Sequence, residues 1–102
     1  MIRRLAGAAL LLAGAFSTTG CVGTVYGVKA LSASATLEEA KTLGADELAQ
    51  YEYYYADAML LKAQEEAAQA NYGDAIEFAD VAEEYAEKAV EHARSARREG
   101  GR

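Results

Sequence analysis

A seven-residue rhythm of alanines constrains this chain more than any other feature. Ala49, Tyr53, Ala56, Leu60, Ala63, Ala67 and Ala70 recur at alternating spacings of 4 and 3. Ala75, Ala79, Ala82, Ala86, Ala89, Ala93 and Ala96 do the same. On an α-helix each set forms one stripe, and a strict seven-residue period predicts two helices paired with a left-handed twist. Twelve of the fourteen positions are alanine. A methyl fills little space between axes, so the two backbones must approach closely. Alanine is also the best helix former, so local preference and tertiary pairing agree.

Turn signals divide the chain around these stripes. Gly44-Ala45-Asp46, Asn71-Tyr72-Gly73-Asp74 and Gly100-Gly101 separate long stretches without proline. They predict a first helix from Ala30 to Leu43 stopped by Gly44, or one starting only at Leu37, because Thr36-Leu37-Glu38-Glu39 matches a capping box. A second helix follows Asp46 as N-cap and runs to about Ala70. A third follows Asp74 and runs to about Arg98, with Arg94, Arg97 and Arg98 suiting its negative end. Leu48, Tyr51, Tyr55, Ala58 and Met59 give the second helix another apolar face, which predicts that it is the middle layer, with the first helix as cover. Phe78, Val81 and Tyr85 flank the seam of the third helix, whose acids Glu83, Glu84, Glu87 and Glu91 are expected to point away. The expected fold is all-α: an antiparallel hairpin with a shorter third helix, a three-helix bundle spanning 30–98, followed by a flexible tail over 99–102.

The N-terminus reads as a targeting segment. Met1-Ile2-Arg3-Arg4 is a positive n-region, Leu5 to Phe16 is a 12-residue apolar h-region, and Ser17 to Gly20 is a small, polar c-region. Twelve helical residues span about 18 Å, against about 30 Å for a bilayer core, which favours a signal peptide over 1–20. Cys21 follows and is the only cysteine. A lone thiol makes no intramolecular disulfide and is a liability in an exported protein. Val22 to Val28 is β-prone, carries two glycines and lacks a helical period, so 21–29 reads as a short tether.

Thr19-Gly20-Cys21 resembles a bacterial lipobox, with Thr18 standing where an aliphatic residue is usual. The resemblance implies that the Cys21 thiol is acylated and becomes the first residue of the mature protein. Val22 is not the aspartate that retains such lipoproteins at the inner membrane, which implies an outer-membrane anchor facing the periplasm.

Removing the first 20 of 102 residues leaves 82, with 8 basic residues against 16 acidic ones, a balance of −8. Phosphate neutralisation needs a basic face, so nucleic acid is not an expected partner. So small a chain has little room for a deep cavity. His92 is the only histidine and lacks a second imidazole for a metal site, so it is expected on the rim. Glu65-Glu66 and Glu83-Glu84 are adjacent, point about 100° apart on a helix and do not converge. No calcium loop, Gly-rich phosphate loop or Ser-His-Asp set is present, so no cofactor and no enzymatic activity are expected.

Tyr51, Tyr53, Tyr54 and Tyr55 crowd one segment. Tyr53 falls in the seam, and Tyr51 and Tyr55 are expected to face the cover helix. Tyr54, Tyr72 and Tyr85 are the candidates for partner or glycan contact, since tyrosine combines an apolar body with a polar tip.

Leu43-Gly44-Ala45-Asp46-Glu47-Leu48-Ala49, Tyr51-Glu52-Tyr53-Tyr54-Tyr55-Ala56 with Leu60 and Lys62-Ala63, and Asn71-Tyr72-Gly73-Asp74-Ala75-Ile76-Glu77-Phe78-Ala79 resemble a known pattern. It is that of small bacterial envelope lipoproteins with an alanine-rich, tetratricopeptide-like helical domain of unknown function. Relatives of that domain stand in front of peptidoglycan-binding domains of the outer-membrane-protein-A type. The resemblance covers roughly residues 30 to 96, and family members commonly carry proline where Gln50 stands. It implies a non-catalytic interaction or scaffold module with an envelope protein partner. Self-association as a structural lipoprotein and binding of peptidoglycan or another glycan are the alternatives.

Overall fold

The computed structural model describes residues 2–101 of the chain and the side chains of 21–101. The expectation of a signal peptide over 1–20 lies outside the described side chains. The described chain is all-α, with α1 (Ile2–Thr42), a single turn α2 (Ala45–Leu48), α3 (Gln50–Ala68) and α4 (Tyr72–Gly100).

The stretch read as a tether is helical: α1 passes through 21–29 without interruption. Its valines and glycines are poor helix formers, but tertiary packing outweighs that preference. The Tyr26 ring lies 6.2 Å from the Tyr72 ring. A Cβ at Gly23 would stand 3.8 Å from that same Tyr72 ring. Tyr26, Ala30, Ala33, Leu37 and Ala40 then form one inward stripe, with spacings of 4, 3, 4 and 3. Thr36 is accordingly inside the helix and caps nothing. Its hydroxyl lies 3.0 Å from the Ser32 carbonyl and 2.9 Å from Glu83 Oε1, two acceptors for one proton.

Gly44 does stop α1. It takes φ +82°, a left-handed conformation that glycine adopts without penalty. Its carbonyl accepts the first bonds of α2, from Glu47 N–H at 3.0 Å and Leu48 N–H at 2.9 Å. Gly44 is therefore the N-cap, and Asp46 sits within the first turn instead. The expected second helix breaks at Ala49 (φ −141°, ψ 54°), directly before Gln50. Ala49 N–H still reaches the Ala45 carbonyl at 2.8 Å, and its carbonyl receives Tyr53 N–H at 3.0 Å, so the break loses little hydrogen bonding. At the far end, Gln69, Ala70 and Asn71 reverse the chain. α4 starts at Tyr72 with Asn71 as N-cap, three residues earlier than the expected start after Asp74. Asn71 makes no side-chain cap bond; its amide donates to Glu66 Oε2 at 3.0 Å.

The alanine seam is real. Ten of its fourteen positions are buried, including Ala63, Ala75, Ala79, Ala86, Ala89 and Ala93 at 0% exposure. The middle layer, however, is α4, which packs against both α3 and α1; the expectation that the second helix held that place is corrected. Lys29–Asp80, Thr36–Glu83 and Glu39–Arg94 advance together along α1 and α4, so these two helices run parallel and α3 runs against both. A helical wheel shows which face is apolar but not which neighbour covers it. Two buried clusters result, one of Ala33, Leu37, Ala56, Leu60, Ala82 and Ala86, the other of Ala40, Ala45, Ala49, Ala89, Val90 and Ala93.

Candidate functional site

The distribution of side-chain size is inverted in this bundle. The core is alanine with a few Leu and Val, and no large side chain is fully buried among the described residues. Large apolar side chains stand outside: Leu31 is 73% exposed, Tyr51 67%, Val28 64%, Leu61 58% and Tyr54 56%. Single exposed apolar residues are ordinary on any protein, but contiguous patches of them mark contact surfaces.

One such patch is the outer face of α3. Tyr51, Tyr54, Ala58 and Leu61 are all exposed and follow one another at spacings of 3, 4 and 3, opposite the buried Ala49, Ala56, Leu60 and Ala63. Tyr54 is braced edge-on by Tyr53, with ring centres 5.0 Å apart. Tyr53 is half-buried against both core clusters, and burial pushes its phenol above the usual range despite the nearby Lys41. Tyr51 stacks on Tyr55 at 5.8 Å, and Tyr55 lies 4.4 Å from Tyr85 of α4. Tyr51 and Tyr55 thus meet Tyr85 on the α3–α4 flank and do not face α1 as expected. Tyr85 packs against the buried cluster that contains Ala82 and Ala86, and Lys88 Nζ lies 4.6 Å from its ring centre.

Of the three candidate contact tyrosines, only Tyr54 is exposed. Tyr85 is half-buried in that aromatic group, and Tyr72 is half-buried where α4 begins, against Tyr26. The structure does not gather the three into one site. Tyr51 and Leu61 complete the α3 face instead, and their 3-4-3 spacing with Tyr54 and Ala58 is the sequence signal that identifies them.

Cys21 is exposed on α1. His92 lies at the surface of α4 with Nδ1 2.9 Å from Glu52 Oε1 of α3. Glu84, Glu87 and Glu91 are exposed as expected, but Glu83 is not. It is drawn between α4 and α1, where Oε1 faces Thr36 and Oε2 is buried with no hydrogen-bond partner. A groove of about 450 Å³ between α1 and α4 is lined by Thr36, Glu39, Glu87, Val90, Glu91, Arg94 and Arg98. Its Arg94 is paired with Glu39 at 2.7 Å. Among the described residues no group of His, Cys, Asp and Glu side chains could hold a metal ion, and no helix is long and apolar enough to cross a membrane.

Compared with known proteins, the chain matches no family model, no curated protein and no solved structure.

Proposed function

We propose that this chain is a lipid-anchored protein of the bacterial cell envelope, held by acylated Cys21 at the periplasmic face of the outer membrane. Its helical bundle acts there as a non-catalytic interaction or scaffold module. The anchoring rests on the signal-like residues before Cys21 and on the lipobox resemblance. The tetratricopeptide-like reading of the hairpin belongs to the same proposal, and a single such unit makes no concave groove, so contacts fall on a helix face.

The observation that carries the interaction reading is the α3 face of Tyr51, Tyr54, Ala58 and Leu61, all exposed on a bundle whose core is built of methyl groups. Aromatic side chains on a rigid helix lose little entropy when covered and dominate many protein interfaces. The partner in this reading is another envelope protein.

A photo-crosslinking amino acid at Tyr54 tests it in intact cells, with the same group at exposed Glu87 of α4 as the control. One envelope protein captured from position 54 and not from 87 is the expected result. Capture of this chain alone would replace the scaffold reading with self-assembly. Retention of the purified domain on peptidoglycan, lost on Tyr54→Ala, would replace it with glycan binding.

A further inference from the structure

Cys21 does not head a loose tether; it sits on a helix that continues directly into the bundle. An acyl chain at that position therefore fixes how the domain stands relative to the bilayer. Cys21 lies on the outer face of α1, away from the bundle. At 100° per residue, Cys21, Val25, Val28 and Leu31 fall within an arc of about 120°. All four are exposed, Val28 at 64% and Leu31 at 73%. The opposite side of the same helix carries the inward stripe that packs on the bundle.

We infer that this face lies on the bilayer that holds the acyl chains, so that the acid-free stretch 21–37 of α1 docks in the interface, with the acidic end of the helix from Glu38 onward turned to the aqueous side. The inference rests on the proposed acylation of Cys21 and extends it from an anchor point to an oriented surface.

Charge supports the bilayer as the occupant. All sixteen acidic residues of the chain lie at Glu38 or beyond, and between Cys21 and Leu37 the only charged residue is Lys29. Lys29 is turned to α4, where it meets Asp80 at 2.6 Å. An acidic protein thus presents to an anionic surface its longest acid-free stretch of the mature helices, avoiding the repulsion that more acidic faces would meet. Exposed apolar side chains on an otherwise uncharged face are the composition that settles at the headgroup–acyl boundary. A face meant for solvent on so acidic a protein would be expected to carry charges, as the exposed Glu84, Glu87 and Glu91 of α4 do.

The test uses the mature lipoprotein. Acylation consumes the Cys21 thiol, so Val28→Cys supplies the one reactive thiol, and Leu61→Cys on the outer face of α3 is the control of similar exposure. Each is labelled with an environment-sensitive fluorophore and reconstituted into phosphatidylethanolamine–phosphatidylglycerol vesicles. The expected result is that both proteins float with the vesicles. The label at 28 is then quenched several-fold more by doxyl-lipid, and several-fold less by iodide, than the label at 61. Flotation with equal iodide quenching at both positions overturns the docking and leaves the anchor standing. A label at 28 shielded from both quenchers means that a second copy covers the face, which also overturns it. Protein that does not float overturns the anchor, and the docking with it.

Discussion

Ala70 carries most of the strain in the turn between α3 and α4. Its φ of +61° makes it the one non-glycine residue in the left-handed region among those described, a conformation costing an L-residue roughly 1–2 kcal/mol. Ala70→Gly removes that cost but adds glycine's greater freedom in the unfolded chain, about 0.5–1 kcal/mol. The net expectation is a gain of about 0.5 kcal/mol in thermal or urea unfolding; a loss of stability would mean that the turn has a different conformation. Tyr53 supplies a pH dependence. Burial raises its phenol pKa above the ordinary 10.0. Above pH 10 the unfolded chain therefore releases the Tyr53 proton while the folded chain retains it, and stability falls as pH rises. Tyr53→Phe abolishes this contribution, so its stability should decline less steeply above pH 10 than that of the parent. Parallel declines would place Tyr53 in solvent.

At the scale of the element, α1 is the test case. Gly27 has open space around its Cβ position and lies within an uninterrupted helix. Gly27→Ala should therefore raise stability by about 1 kcal/mol through helix propensity alone; no change in the melting temperature would mean that 21–29 is not helical in solution. Ala86→Leu at the seam forces extra methyl groups between α3 and α4 and should cost roughly 1–3 kcal/mol. An unchanged midpoint in urea would place the close approach of the helices elsewhere. The seam was legible in the sequence because a seven-residue alanine period has few other structural meanings. Gly44 was legible for a similar reason, since a helix stop there calls for a residue that tolerates positive φ. The helical state of 21–29 was not legible, because it depends on Tyr72, a residue half the chain away, meeting Tyr26. The role of α4 as middle layer was hidden too, since two helices each showed a second apolar face. The α3 face is partly legible: Tyr54 lies off both apolar stripes in the sequence, whereas Tyr51 shares an apolar face with Tyr55, and only the structure shows that Tyr85 of α4, not α1, meets that pair.

Across the whole molecule, the same inversion links stability to function. Methyl-sized core residues let three helices pack closely, and each buried methyl contributes about 0.8 kcal/mol. The exposed pairs Lys29–Asp80 and Glu39–Arg94 each add at most about 1 kcal/mol to holding α1 on α4. Larger apolar side chains are left for the outer faces of α1 and α3, which point to different sides of the bundle. On this account one face meets the membrane, the other meets a protein, and Cys21 sets which is which. Both proposed roles depend on the anchor at Cys21. Intact-mass spectrometry of the protein extracted in detergent from its host's membranes tests it most directly. The expected species is a chain beginning at Cys21, heavier than residues 21–102 by the mass of a diacylglyceryl group with or without a further acyl chain. An unmodified Cys21, or a membrane-extracted chain that retains residues 1–20, would contradict it.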